Sequence, residues 1–179
     1  TPDCRPVTFD FSGSSATDGT DGNSRTYTDA LTGVSVTARA FSQSKLADNT
    51  PTNTWQTAWL GAYSGGLGVT DSSEGTGSGN THTVDNVGRN NYVVLQFSQS
   101  VKLDQAYLGY VVNDSDMKVW IGSSASTITT MDNSVLSSMG FSEVNTTTLT
   151  TARWADLNAG GVRGNVVIIA ADTTDTSPE

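Results

Sequence analysis

The sequence contains a single cysteine and a single histidine, and this scarcity excludes several kinds of site. Cys4 has no partner for a disulfide within the chain, so it is either a lone thiol or a link to another chain or to a removed segment. We therefore treat Cys4 as a candidate intermolecular contact. Cys4 and His82 together cannot supply the nitrogen and sulfur ligands of a tetrahedral zinc site.

Recognisable catalytic motifs are also missing. A Ser-His-Asp or Cys-His arrangement would have to use His82, yet no G-x-S-x-G elbow is present. The glycine-rich segment lacks the lysine of a phosphate-binding loop. A glycosidase with two carboxylates is compatible with the acidic composition, but the sequence places no pair at the required separation. We predict no catalytic residues and no enzymatic activity.

Basic residues and long apolar runs are scarce as well. Nine Lys and Arg against eighteen Asp and Glu give a net charge of −9, which would repel a phosphate backbone and argues against nucleic acid as a partner. No apolar run approaches the roughly 18 to 20 residues that span a bilayer. Few lysines, many Ser and Thr, and a start at Thr1 without methionine favour a processed protein that is secreted or displayed on the cell surface.

Charged residues make up only 15% of the chain, which leaves little material for amphipathic helices. Short runs that alternate or are rich in β-branched residues predict strands at Pro6–Phe11, Gly33–Ser42, Asn91–Ser98, Val101–Val112, Met117–Gly122, Thr146–Thr150 and Asn165–Ala171. Asn165–Ala171 is apolar on both faces, so we expect it to be central in its sheet. Turns are expected at Leu31–Gly33 and Ser98–Ser100, and a short helix, capped by Asp132 or Asn133, or a turn within Thr129–Gly140. The pattern predicts an all-β domain over residues 1–171, a single antiparallel β-sandwich of jelly-roll type, followed by a polar tail at 172–179.

Acidic and amide residues cluster in the glycine-rich segment Trp59–Asn86 and shortly after it. Calcium takes about six to eight oxygen ligands, and glycines let the backbone turn its carbonyls inward. The candidate calcium ligands are Asp71, Glu74, Asp85, Asn86, Asp114 and Asp116. The alternative is that these side chains only supply hydrogen bonds to turns.

Tryptophans offer a second kind of site, because sugar rings stack on exposed aromatic faces. Trp55 and Trp154 have polar neighbours and are the candidate carbohydrate contacts. Trp59 and Trp120 stand among apolar residues, so we expect both in the core.

These residues carry a resemblance to a known class. The run AWLGAYSGGLGVTDSSEG, followed by HTVDNVGRNNYVVLQFSQSVKLDQAYLGYVVNDSDMKVWIG, resembles extracellular proteins of the PEP-CTERM class, over Ala58 to about Gly122. Exosortase systems sort such proteins to the surface of biofilm-forming Gram-negative bacteria. The most specific pieces are GLGV, the downstream EG, H-x-V-D-N and D-S-D, in that order. Members end in Pro-Glu-Pro, a membrane helix and a basic cluster. This chain ends at Pro178-Glu179, so we expect the sorting segment to be removed or absent.

The resemblance implies a non-enzymatic β-sandwich of the extracellular or biofilm matrix, associated with exopolysaccharide. Acidic positions that recur in the class fall here on Glu74, Asp85, Asn86, Asp114 and Asp116. We expect a calcium-stabilised structural protein that self-associates into oligomers or fibres, since an extended arm can add to an open sheet edge. The alternative expectation is a carbohydrate-binding module that recognises exopolysaccharide.

Overall fold

The computed structural model describes residues 5–14, 22–75 and 81–173, which form eleven strands and one short helix. The strands are β1 (Ser24–Thr28), β2 (Ser35–Lys45), β3 (Pro51–Thr57), β4 (Trp59–Tyr63), β5 (Gly66–Thr70), β6 (Asn90–Lys102), β7 (Gln105–Leu108), β8 (Met117–Gly122), β9 (Phe141–Asn145), β10 (Arg153–Asp156) and β11 (Arg163–Ala171). The helix is α1 (Asn133–Ser138). All strand pairs in these residues are antiparallel, so the prediction of a mostly β, antiparallel chain is confirmed.

One seven-stranded sheet dominates the structure. Its strands run in the order β1-β2-β6-β11-β8-β9, and β3 also pairs with β2. β11 lies between β6 and β8, which confirms the central position expected from its apolar sequence. Val166, Val167 and Ile168 are each 0% exposed, because both faces of this strand are covered. The four other strands form two small sheets, β4–β5 and β7–β10.

Alternation along β6 builds a core on each face of the large sheet. Val93 and Leu95 belong to a first core, whereas Tyr92 and Val94 belong to a second. Both small sheets contribute buried side chains to the first core: Leu60, Val69 and Ala155. The small sheets therefore pack against the same face of the large sheet.

The second core is covered in part by α1 and its flanks. Asp132 caps the helix, because its carboxylate accepts hydrogen bonds from the backbone N–H groups of Ser134 and Val135, which confirms the expected helix and one of its two expected caps. Val135 and Leu136 pack against this core. No helix among the described residues is long and apolar enough to cross a membrane.

Four neighbouring strands meet at one end of the large sheet. Gln43 near the end of β2 lies opposite Asn90 at the start of β6, and Ala171 at the end of β11 lies opposite Met117 at the start of β8. The strand register therefore gathers the residues that precede β6 and β8 with those that follow β2 and β11.

Several local predictions are wrong. Pro6–Phe11 forms no strand, although Phe9 and Phe11 pack on the first core, so its apolar pattern reflects side-chain packing and not a strand ladder. Thr146–Thr150 lies outside any strand, between β9 and β10. The turn expected at Ser98–Ser100 lies inside β6, whose pairing with β11 continues to Lys102 and is irregular between Gly164 and Val166.

The two tryptophans expected in the core differ. Trp120 is 9% exposed, which confirms its prediction. Trp59 is 37% exposed, so its core placement is wrong. Strand alternation directs the neighbouring Leu60 into the first core and therefore turns Trp59 to the opposite face.

Replacing Ile168 with Ala tests the central position of β11. Ile168 is fully buried between Trp120 of β8 and Val94 of β6, so the cavity should lower the free energy of unfolding by about 2 to 5 kcal/mol. Leu31→Ala is the control, because Leu31 is 79% exposed and should change stability by less than about 0.5 kcal/mol. Urea denaturation measures both, and equal losses would contradict the placement.

Candidate functional site

Two buried aspartates occupy the loops that connect β5 to β6. Asp71 directly follows β5 and is 0% exposed, and Asp85 precedes β6 and is 3% exposed. Glu74 lies three residues after Asp71 and is half-buried. We call these three residues the acidic cluster.

Asp71 organises a tight turn. One of its oxygens, Oδ1, accepts hydrogen bonds from the backbone N–H (2.7 Å) and the hydroxyl (2.6 Å) of Ser73. The backbone N–H of Asp71 donates to Oε2 of Glu74 at 2.8 Å, which draws the Glu74 carboxylate toward Asp71. The other oxygen, Oδ2, is buried and has no hydrogen-bond partner among the protein atoms. Such an atom lacks the compensation that a buried carboxylate oxygen requires.

Asp85 is held by its own loop and by the start of β6. Its side chain accepts hydrogen bonds from the Thr83 hydroxyl (2.9 Å) and the Val87 N–H (3.0 Å). Asn91 donates its backbone N–H to the Asp85 carbonyl (2.8 Å) and its amide Nδ2 to Asp85 Oδ1 (3.3 Å). The Asn91 side-chain oxygen Oδ1 is buried without a protein partner. A second buried oxygen of the site is therefore unsatisfied.

Burial and mutual repulsion disfavour the charged forms of two acidic side chains at this end of the sheet. Burial, joined by the charges of Asp85 and Asp71, raises the pKa of Glu74 to about 8, although a hydrogen bond from the Asp71 N–H opposes the rise. Burial also raises the pKa of Asp85 to about 6, with Asp71 adding to the shift. The nearby cation is Lys45, whose pKa is lowered by burial while the Asp85 charge acts in the opposite direction. The charge of Lys45 therefore acts on Asp85 within the acidic cluster.

Asn86 connects this site to the end of β11. Its carbonyl accepts a hydrogen bond from Lys45 Nζ, and its Nδ2 donates to the carbonyl of Asp172 at 3.2 Å. Asp172 is buried, and its N–H donates to the Asp116 carbonyl at 3.0 Å. The link between the DSD segment and the loop of Asp85 and Asn86 therefore runs through the Asn86 side-chain amide and the backbone groups of Asp172 and Asp116.

The side chains of the DSD segment have hydrogen-bond partners outside the acidic cluster. Asp114 Oδ1 accepts from the Ser115 N–H at 2.6 Å, and Asp116 Oδ1 accepts from the Thr147 N–H at 2.5 Å. Of the six candidate calcium ligands, the structure gathers Asp71, Glu74, Asp85 and Asn86, whereas Asp114 is hydrogen-bonded within its own segment and Asp116 to Thr147. The sequence reasoning missed Lys45 and Asn91, and the only signal for Asn91 was the paired asparagine that opens a strand.

The donor set of the site is oxygen, as hard cations require. Within residues 5–14, 22–75 and 81–173, however, no group of three or more Asp, Glu, His or Cys side chains is arranged to hold a metal by itself. An ion at this site would need amide or backbone oxygens as well as carboxylates. Asn91 Oδ1 is a buried oxygen of that kind.

The candidate carbohydrate contacts differ in their surroundings. Trp55 packs on Tyr92, with ring centroids 4.7 Å apart, and its Nε1 donates to Asn133 Oδ1 at 2.8 Å, so it joins β3 to the second core. Trp154 is 56% exposed and lies beside Tyr107, which is 53% exposed. Trp154 is therefore the one of the two that offers a free ring face. Cys4 lies outside the described residues.

Comparison of the chain with protein-family models, with curated proteins and with solved structures finds no match.

The raised pKa values predict that the calcium-free protein loses stability as pH rises. Glu74 and Asp85 have ordinary pKa values of 4.5 and 3.8, and the folded state raises them to about 8 and 6. At a pH between the ordinary and the raised pKa of each group, the folded chain binds more protons than the unfolded chain. The free energy of unfolding should therefore fall from about pH 4.5 to pH 8. Urea denaturation in a chelator across this range measures the slope.

Glu74→Gln should flatten the decline above about pH 6, because the amide does not titrate. Asp104→Asn makes the same change of charge on an exposed residue outside the acidic cluster and should keep the wild-type slope. A Glu74→Gln slope equal to the wild-type slope would contradict the assignment.

Proposed function

We propose that this chain is a non-enzymatic structural protein of the extracellular or biofilm matrix, stabilised by calcium bound at the acidic cluster. The observation that carries the proposal is the pair of buried oxygens without protein partners, Asp71 Oδ2 and Asn91 Oδ1. Both belong to side chains that are 0% exposed, so bulk water does not solvate them. A hard cation would satisfy both oxygens and neutralise the charge that Lys45 leaves uncompensated.

Asp71, Glu74, Asp85 and Asn91 are the residues that would hold the ion. Asp71 and Glu74 follow β5, Asp85 lies in the loop before β6 and Asn91 lies in β6 itself, so an ion would fasten the β5 turn to the start of β6. Asn86 is engaged with Lys45 and Asp172, and Asp114 and Asp116 have other hydrogen bonds. In this proposal these last three residues position the end of the sheet and do not bind calcium.

We extend the proposal to the architecture and the location of the protein. Packing of both small sheets against one face of the large sheet supports a β-sandwich, with the jelly-roll arrangement as its finer form. Membership of the PEP-CTERM class and secretion or surface display depend on the sequence pattern and the acidic, lysine-poor composition. Neither requires a catalytic group.

Self-association is part of the same proposal. The large sheet ends in β9 on one side and in β1 and β3 on the other, and edge strands can pair with a second chain. Cys4 would contribute by linking two chains through a disulfide.

Exopolysaccharide binding is the second candidate function. The exposed Trp154–Tyr107 pair supports it, because aromatic faces in solvent are the surfaces on which sugars stack. Trp55 does not belong to this surface, since its ring and its N–H are engaged with Tyr92 and Asn133.

Calcium should raise the melting temperature of the chelator-treated protein. An ion at a hundredfold excess over its Kd stabilises the folded state by about 2.7 kcal/mol, which for a chain of this size corresponds to roughly 5 to 11 °C. Asp71→Asn should remove most of this shift, whereas Asp114→Asn, with the same change of charge, should retain it. Differential scanning calorimetry measures the three proteins, and an equal calcium response in all of them would overturn the site.

Covalent self-association through Cys4 has a direct test. Non-reducing gel electrophoresis of protein secreted by an oxidising host should show a dimer band that disappears with reductant and is missing in Cys4→Ser. A wild-type protein that is wholly monomeric on this gel would exclude the covalent contact.

A further inference from the structure

The small β7–β10 sheet separates its residues cleanly between two faces. Ala106 and Ala155 lie opposite each other in the register and pack toward the first core. Their neighbours along the strands therefore point outward, because successive side chains of a strand alternate. The outward pairs are Tyr107 with Trp154 and Gln105 with Asp156, and all four residues are exposed.

The aromatic pair forms a rigid, solvent-facing surface. Tyr107 and Trp154 are directly opposite in the register, with ring centroids 5.1 Å apart and ring planes inclined by 43°. More than half of each side chain is exposed, although two aromatic residues of this size bury large apolar areas in most proteins. Contact between the two rings restricts their rotation, which reduces the entropy lost on binding.

A polar pair lies next to the rings. Gln105 Nε2 donates to Asp156 Oδ1 at 2.5 Å, and Asn145 Nδ2 donates to the Asp156 carbonyl at 2.9 Å. The second oxygen of the Asp156 carboxylate and the oxygen of the Gln105 amide can accept hydrogen bonds from hydroxyl groups. Apolar stacking surface and fixed hydroxyl-binding groups thus occur side by side, which is the combination that sugar recognition needs.

We propose that this outer face of β7–β10 binds an extended neutral polysaccharide, with successive sugar rings stacked on Tyr107 and Trp154. The proposal depends on the second candidate function and assigns its site and its ligand class. The two rings adjoin each other, with centroids 5.1 Å apart, so together they offer one continuous apolar surface to a glycan.

The negative charge of the protein indicates which polysaccharides this face can bind. The chain carries a net charge of −9, and Asp156 places a carboxylate on the binding face itself. A polymer of uronic acids would be repelled, whereas the C–H faces of neutral hexoses meet the electron-rich faces of the aromatic rings favourably. The ligand is therefore an uncharged glycan with flat apolar faces, of which cellulose and chitin are available examples.

Binding to cellulose and chitin, with soluble alginate as the anionic comparison, tests the proposal. Wild-type protein should bind at least one neutral polymer and not alginate. Trp154→Ala and Tyr107→Ala should each weaken that binding roughly tenfold or more, and Trp154→Phe should restore part of it. Trp59→Ala is the matched control, because it removes a partly exposed tryptophan from β4–β5 and should leave binding unchanged.

The possible results distinguish a failure of glycan binding itself from a failure of the Tyr107–Trp154 site. If wild type binds no neutral glycan, the candidate carbohydrate function fails together with the site. If wild type binds and both aromatic variants bind equally well, the function stands and this site is wrong. If the variants instead abolish a wild-type dimer in size-exclusion chromatography without changing glycan binding, the face is a contact between chains and the proposal is overturned. Unchanged melting temperatures of the variants establish that folding is intact.

Discussion

Burial of carboxylates at one end of the central sheet is the constraint on which the rest of the structure depends. Asp71 and Asp85 are buried from solvent, and their negative charges help to raise the pKa of the neighbouring Glu74. Lys45 contributes opposing charge to Asp85, and its own burial disfavours its charged form. Unpaired buried charge is costly, so a fold that gathers these groups must protonate some of them or bind a cation. In the function that we propose, calcium would also satisfy the buried oxygens of Asp71 and Asn91 that lack protein partners.

The sheet explains why these groups meet. Antiparallel pairing brings the start of β6 beside the end of β11, and the loop from β5 returns to the same end. Hydrogen bonds then join Asn86 to Asp172 and Asp172 to Asp116, so the loop of the acidic cluster is connected to two interior strands. The β7–β10 sheet exposes aromatic side chains, because alternation along its strands leaves Tyr107 and Trp154 facing solvent. One end of the molecule thus suits a structural ion, and a separate face suits a ligand.

The sequence predicted the parts of the fold whose pattern is strong and local. β8 and most of β2 and β11 have continuous β-branched or apolar runs, and the Asp132 cap follows from its position before the helix. The strands β1, β3, β4, β5, β9 and β10 were not predicted, because they are short and carry polar or glycine residues whose pairing depends on distant partners. Trp59 was misplaced for a related reason, since one position along a strand reverses the face.

The candidate site was predicted in part for the same physical reason. Asp71, Glu74 and Asp85 lie in one segment, so composition alone could group them, whereas Lys45 and Asn91 reach the site through sheet register.

The most direct test of calcium binding at the acidic cluster is a calorimetric titration of calcium into chelator-treated protein. We expect saturable binding of one ion per chain. Absence of saturable binding at concentrations up to about 1 mM, where extracellular calcium modules bind, would contradict it.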